Sequence, residues 1–291
     1  MDEKLFTCLN GSFVLAHRAA VAVADRGFRY GDGLFTTMRV ERGVPFYWDA
    51  HMQRLIAGLQ ALKIHFDLSS LEPYAKKLLL KNEAQHGFLR LAISRGVGSR
   101  GYAPYPADMP VNWVMEWMDG LPEIKKPATL WLSSYARIPP QCLPMQAKLA
   151  QGLNSTLAVM EAHEHKADEA LQLAIDGTIS ETSAANIFWL KDNTLFTPSL
   201  DTGCVAGITR EAVLRLSPLP TRIVREGLSA LNHAEAVFLT SARVSVWPVA
   251  QLNPSGQQFN ATHPFHRQML SLLTQDRQKQ LFANRHRWVA A

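Results

Sequence analysis

Cysteine is scarce in this chain. Its 291 residues hold three, Cys8, Cys142 and Cys204, far apart and without paired spacing. That argues against a disulfide framework and a zinc knuckle and suits a reducing compartment, so a cytoplasmic location is expected. Long apolar runs are missing too. None approaches the roughly 18–20 residues that a membrane span needs, and no apolar segment follows the charged start Met1-Asp2-Glu3-Lys4. Neither a signal peptide nor a membrane helix is expected. There is no internal repeat and no low-complexity segment. The charge excess is small: 30 basic residues against 25 acidic give +5, and the basic residues are scattered. A nucleic-acid stripe would be clustered and interleaved with aromatics, so nucleic acid is not an expected partner. The densest basic run, Arg285-His286-Arg287-Trp288, reads as a solvated tail.

What is present suits an ordinary globular protein: 47% apolar and 19% charged residues. The length allows a large core and two domains. Residues 5–15 read as strand, turn and strand, with Asn10-Gly11 at the turn. Residues 25–33 form a Gly-rich loop, and a strand follows from Leu34 to Val40. Met52, Leu55, Ile56, Leu59 and Leu62 mark one helical face, and residues 71–80 repeat the pattern. Strands are expected at 88–93 and 111–117, with a second Gly-rich loop at 94–102 between them. Residues 120–127, with two prolines, make the best linker. The expected division is 1–119 as a small N-terminal domain, 120–127 as linker and 128–291 as a larger C-terminal domain. In the latter, strands are expected at 129–134, 170–175, 185–190 and 236–240, and helices at 153–164 and near Phe265 to Leu273. Strands and helices mix without βαβ alternation, so the fold class is α+β.

The most informative stretch runs from Glu181 to Arg210. A carboxylate leads into the apolar run Ala184-Ala185-Asn186-Ile187-Phe188. A second strand follows at Leu195-Phe196-Thr197, and Gly207 then opens a helical pattern from Ile208-Thr209-Arg210. Such a segment can offer an anion to a cationic ring nitrogen and a helix N-terminus to a phosphate. Those are the two ends of pyridoxal 5'-phosphate. The order and spacing resemble the segment of fold-type IV pyridoxal-phosphate enzymes, the class IV aminotransferase family. The resemblance implies a two-domain fold, with a small α/β domain and a larger pseudo-barrel domain. It also implies pyridoxal 5'-phosphate as cofactor, an active site between the domains and a homodimer.

Such an enzyme needs a lysine that bonds the cofactor aldehyde. Most lysines here sit in polar surroundings. Lys148 differs, lying in Leu143-Pro144-Met145-Gln146-Ala147-Lys148-Leu149-Ala150 with no other charge nearby. Alone it could be a snorkelling lysine. Glu181 lies 33 residues on (181 − 148), which matches the family separation and makes Lys148 the catalytic amine. The resemblance assigns Glu181 to the ring nitrogen and carries Asn186 along with its strand. Arg54, in His51-Met52-Gln53-Arg54-Leu55, matches the family arginine that binds the cofactor phosphate. Ile208 and Thr209 match the phosphate cup at the helix start. Thr240 and Ser241 match a second polar turn beside the phosphate, unless they are a simple N-cap pair.

Within the family, Gly31-Asp32-Gly33-Leu34-Phe35-Thr36-Thr37-Met38-Arg39 resembles the loop of the aminodeoxychorismate lyases. Transaminases usually carry Glu where Thr36 stands, and Thr37 would narrow the pocket. Ser94-Arg95-Gly96-Val97-Gly98-Ser99-Arg100-Gly101-Tyr102 resembles the lyase loop, in which Arg95 and Arg100 would hold two substrate carboxylates. Tyr30 and Arg39 are expected to face cofactor or substrate. Branched-chain enzymes carry Tyr where Leu153 stands. Gln151 in place of Asn, and a longer C-terminal part, depart from the lyase pattern. The resemblance thus implies cleavage of aminodeoxychorismate to 4-aminobenzoate and pyruvate, a step toward folate. The rivals are a class IV aminotransferase acting on D-amino acids, branched-chain amino acids or R-amines, and a cofactor carrier without turnover. No metal is expected.

Overall fold

The computed structural model describes residues 4–106 and 108–289. The chain divides into two compact units. The first takes residues up to Leu121, the short stretch Ala147–Gln151, and the chain from Arg277 on; the second takes Pro122–Gln146 and Gly152–Asp276.

The first unit is a six-stranded antiparallel sheet with two main helices. Its elements begin with β1 (Phe6–Leu9), β2 (Ser12–Leu15), α1 (Arg26–Tyr30), β3 (Gly33–Glu41) and β4 (Val44–Pro45). They continue with α2 (Trp48–Ala61), α3 (Leu71–Lys81), β5 (His86–Ser94) and β6 (Asn112–Asp119). The strand order is β2-β1-β6-β5-β3-β4. In β3, period-2 alternation sends Leu34, Thr36, Met38 and Val40 to the buried face and Phe35, Thr37 and Arg39 to the other. The helix α2 answers with Trp48, His51, Met52, Leu55 and Leu59, spaced three and four residues apart. Burying such a face is worth on the order of 2 kcal/mol for each large apolar side chain.

The 25–33 segment is not all loop. Residues Arg26–Tyr30 form a short helix, because Asp25 caps its amides through Gly27 and Phe28 and Gly31 ends it with a left-handed φ of 66°. Asp25 also accepts hydrogen bonds from Ser94 Oγ at 2.7 Å and Asn112 Nδ2 at 2.6 Å.

Two returns set these units apart from a simple cut at 120–127. Residues 147–151 run along the start of β3: Phe35 donates its amide to the Lys148 carbonyl, and Ala150 donates to the Gly33 carbonyl, both at 2.9 Å. Gly58 permits this approach, since a Cβ there would stand 2.7 Å from Leu34 Cδ1 and 3.2 Å from Ala147 Cβ. The second return is the C-terminal tail, which is docked rather than solvated. Arg287 bonds both Asp49 and Glu72. Trp288 packs edge-on against Trp48 with ring centres 4.8 Å apart.

The second unit begins with β7 (Ala128–Leu132), α4 (Leu153–Glu164), β8 (Glu169–Leu173), β9 (Ile179–Thr182), β10 (Asn186–Lys191) and β11 (Thr194–Pro198). It goes on with α5 (Ile208–Leu216), β12 (Thr221–Val224), β13 (Ala236–Thr240), β14 (Trp247–Asn253) and β15 (Gln257–Gln258). The helix α6 (Pro264–Trp288) ends the chain and passes from this unit into the first. The sheet order is β12-β11-β10-β13-β14-β7-β8-β9, with β15 on β14. The pairs β11–β12, β14–β7 and β7–β8 are parallel and the rest antiparallel. Strand β10 is buried along nearly its whole length, which explains the apolar run in its sequence. The α+β class holds. Among the described residues no helix is long and apolar enough to cross a membrane.

Candidate active site

In the first unit the alternation of β3 builds a polar layer on each face. On the core side, Thr36 lies 2.8 Å from Arg54 Nη2 and 2.5 Å from His51 Nδ1. His51 and Arg54 are three residues apart on α2 and so point the same way. Burial, and then the charges of Arg54 and Lys148, hold the His51 imidazole well below its ordinary pKa. His51 is therefore neutral at physiological pH.

On the opposite side of β3, Phe35 carries two cations. Lys148 Nζ stands 4.9 Å from its ring centre and the Arg90 guanidinium carbon 4.0 Å. Arg90 sits opposite Thr37 in the β3–β5 pairing, so Phe35, Thr37, Arg39 and Arg90 share one sheet face. Arg90 is half-buried, which lowers its pKa, and its nearest carboxylate, Glu116, is 3.7 Å away. Among the described residues Arg90 makes no hydrogen bond. Arg39 spends its Nε on Glu41 at 2.6 Å.

The 94–102 loop corrects one expectation. Arg95 is committed to structure. It grips Asp32 through Nε at 2.8 Å and Nη2 at 3.0 Å, and it donates to the carbonyls of Leu62 and Lys63. Asp32 also accepts from Arg26 Nε at 2.8 Å, and Arg26 donates to the carbonyls of Gly101 and Tyr102. Burial opposes ionisation of Asp32, yet the bonds from Arg95 and Arg26 leave its carboxyl below the ordinary range. Arg95 thus fastens the loop and cannot hold a substrate carboxylate without giving up these bonds. Arg100 is exposed on that loop. Tyr30 packs its ring 5.6 Å from that of Tyr102, and its hydroxyl accepts the Gly101 amide at 2.9 Å.

The second unit gathers the other expected residues. Glu181 lies within the separate short strand β9 and is buried. Arg137 Nη2 stands 2.6 Å from Glu181 Oε1, and Asn186 Nδ2 donates to Oε2 at 3.2 Å. Asn186 also donates to the Val205 carbonyl at 3.0 Å. Gly207 follows, close enough that a Cβ would fall 2.0 Å from Asn186 Oδ1. That contact draws the start of α5 against Asn186. Gly207 is the N-cap of α5 and brings no capping side chain, so the amides of Ile208 and Thr209 open the helix without one. Thr240 pairs with Asn186 in the β10–β13 register. Its hydroxyl is buried and, among the described residues, has no hydrogen-bond partner. Ser241 accepts the amides of Arg243 and Val244 at 3.3 and 3.4 Å, so it does cap the following turn, while Thr240 does not. Nearby, burial and then the Glu181 charge push the Cys204 thiol up to about 12.

This set can hold a dipolar ligand: a buried carboxylate for a cationic ring atom at one end, and helix amides with an unsatisfied hydroxyl for an anion at the other. Sequence reading missed Arg90 and Arg137. A charge in the middle of the apolar run Phe88-Leu89-Arg90-Leu91 is a signal for the first. Arg137 has none, because its partner is 44 residues further on (181 − 137).

Residues 33–252 match the family model described as Amino-transferase class IV. An aminodeoxychorismate lyase of Bacillus subtilis is 29% identical over 273 residues, spanning 87% of this chain and 90% of the relative. Among solved structures, a branched-chain amino acid aminotransferase from Escherichia coli superposes with a TM-score of 0.85 at 26% identity, over 92% of each chain. A 4-amino-4-deoxychorismate lyase from Pseudomonas aeruginosa does so with 0.81 at 28% identity, over 93% of this chain and 98% of the other.

Proposed function

The chain belongs to the class IV amino-transferase family, and from that premise we propose that it is a pyridoxal-phosphate-dependent aminodeoxychorismate lyase. It would split its substrate into 4-aminobenzoate, a folate precursor, and pyruvate, and act as a homodimer. The observation that carries the substrate reading is Arg90: a half-buried guanidinium that makes no hydrogen bond among the described residues and shares the Phe35 ring with Lys148. Its ion pair with Glu116, at 3.7 Å, is too long for a hydrogen bond, so its fork of N–H donors remains suited to a substrate carboxylate. The lyase is favoured over an aminotransferase by Thr36 and Thr37 in strand β3, by Leu153 where branched-chain enzymes have Tyr, and by the 94–102 motif.

The residues fit the cofactor. Lys148 would hold it at its aldehyde carbon. Glu181, fixed by Arg137 and Asn186, would take the ring nitrogen. Arg54, the amides of Ile208 and Thr209, the Thr209 hydroxyl, and Thr240 with Ser241 would hold the phosphate. When bound, the cofactor supplies an electron sink for charge that develops beside the substrate amine. The chain's own residues do the rest. Once the substrate amine has displaced it from the aldehyde carbon, the freed Lys148 Nζ would take the proton from the amine-bearing ring carbon of the substrate and could return it to the enolpyruvyl methylene. Arg39, Arg90 and Arg100 orient the two carboxylates, and Tyr30 and Thr37 bound the pocket. Protonation of the enolpyruvyl methylene with C–O cleavage expels pyruvate, and aromatisation drives the step.

The test is acceptor dependence. The lyase releases pyruvate from aminodeoxychorismate with no 2-oxo acid present. A protein that yields no pyruvate, and instead moves the amino group of D-alanine or leucine to 2-oxoglutarate, is an aminotransferase built on the same site.

A further inference from the structure

A hydroxyl stands in the apolar core layer of the first unit. Strand alternation puts Thr36 between Leu34 and Met38, with no exposed surface. A buried hydroxyl needs partners, and Thr36 finds two on one turn of α2. Its Oγ1 lies 2.8 Å from Arg54 Nη2 and 2.5 Å from His51 Nδ1. The direction of these bonds follows from chemistry. A guanidinium only donates, so Oγ1 accepts from Arg54. The hydroxyl hydrogen is then directed to Nδ1, which must accept, and His51 carries its proton on Nε2. The geometry is a one-way relay from Arg54 to Thr36 to His51.

We propose that Thr36 is the positioning residue of Arg54: its hydroxyl, locked by His51, holds the guanidinium in the pose that takes the cofactor phosphate. This rests on the reading that Arg54 binds that phosphate. An arginine has several rotatable bonds, and ordering them when the ligand arrives costs affinity. A relay formed beforehand removes part of that cost. The deep burial of His51 and the lowered pKa of its ring agree with its role as a neutral acceptor. The same relay gives Thr36 a use where the family's transaminases usually carry glutamate.

The experiment uses the full chain freed of cofactor, titrated in parallel with pyridoxal 5'-phosphate and with pyridoxal, which lacks the phosphate. The dissociation constant for pyridoxal divided by that for pyridoxal 5'-phosphate measures phosphate recognition alone. Thr36→Val is close in shape and lacks the hydroxyl. It is expected to lower the ratio at least tenfold by weakening pyridoxal 5'-phosphate binding while leaving pyridoxal binding unchanged. Thr36→Ser, which restores the hydroxyl, should return the wild-type ratio. Thr36→Ala adds no bulk and takes the place of Thr36→Val if that variant does not fold. An unchanged ratio, or an equal loss for both ligands, overturns the proposal. Arg54→Ala separates the two claims. If it keeps the wild-type ratio, the phosphate reading of Arg54 fails. If it lowers the ratio and Thr36→Val does not, only the relay fails.

Discussion

Arg137 Nη2 lies 2.6 Å from Glu181 Oε1, and each side chain keeps 5% of its surface or less exposed. The guanidinium also donates to the Gly203 carbonyl at 3.1 Å and to Ser155 Oγ at 3.0 Å. Glu181 is therefore held by a permanent cation at Oε1 and by Asn186 at Oε2. That arrangement fixes a carboxylate in place before any ligand arrives, at the cost of desolvating both ions. Arg137→Met leaves a buried carboxylate without this partner and should lose about 3 kcal/mol of stability. Urea unfolding of Arg137→Met, Glu181→Gln and the double variant checks this. The double variant should lose less than the sum of the singles, by about 1–3 kcal/mol. Additive losses would show that the contact carries no coupling.

Arg90 and Arg95 are five residues apart, and the structure gives them different work. Arg90→Leu should raise KM for aminodeoxychorismate about 10–100-fold, as a lost charge-assisted pair of about 1.4–3 kcal/mol requires. The absorbance of the bound cofactor should not change. Arg95→Leu should instead lower the unfolding midpoint, because Asp32 loses two of its hydrogen bonds and the carbonyls of Leu62 and Lys63 lose a donor. Steady-state kinetics and thermal unfolding of both variants decide the matter. Exchanged phenotypes would return Arg95 to the substrate.

The three cysteines should separate by reactivity. Cys142 is exposed, whereas Cys8 and Cys204 are buried. Burial raises both buried thiols, Cys204 to about 12 with the help of Glu181. At pH 8 the buried thiols stay protonated and shielded, and the thiolate is the reactive form. A disulfide reagent should titrate one thiol in the native protein and three in denaturant. Fast reaction of a second native thiol would contradict the burial of Cys204 or Cys8.

The docked C-terminal tail gives a pH signature. Hydrogen bonds from Arg287, with Lys76 adding to them against the opposing effect of burial, lower the Glu72 carboxyl from 4.5 to about 2. A carboxyl depressed in the folded state contributes stability above its ordinary pKa and loses it as pH falls through the folded value. The stability gap between wild type and Arg287→Leu should thus be full at pH 7, shrink below about pH 4.5 and close near pH 2. Denaturant midpoints across that range measure it. A gap that does not depend on pH would mean that packing of the Arg287 stem, rather than its pairing with Glu72, holds the tail.

What could be read in advance was local. The helix at 153–164 and the alternation of β3 follow from spacing that neighbouring residues set. The order of Lys148, Glu181 and the Gly207 turn could likewise be read along the chain. What was hidden depends on distant partners. Five residues of α1 make no helix by propensity, since Gly27 is one of them and Gly31 follows directly. The segment folds because Asp25 caps it and is itself held by Ser94 and Asn112. The strand β9, Ile179–Thr182, is polar after its first residue and follows the Asp176-Gly177 turn, so its sequence gives no strand signal and Glu181 reads as the lead-in to the next strand. The fate of Arg95 was decided by Asp32, 63 residues earlier. The tail Arg285-His286-Arg287-Trp288 looked solvated because nothing local shows that Trp288 meets Trp48 and Arg287 meets Glu72.

The central claim is that Lys148 is the amine that carries the cofactor, because every further role depends on it. Borohydride reduction of the holoprotein fixes pyridoxal 5'-phosphate covalently to the amine that holds it, and peptide mass analysis then locates it. The account predicts a phosphopyridoxyl group on the peptide containing Lys148 alone, and neither the group nor lyase activity in Lys148→Ala. A group on another lysine, or an unaltered visible absorbance and activity in Lys148→Ala, would contradict it.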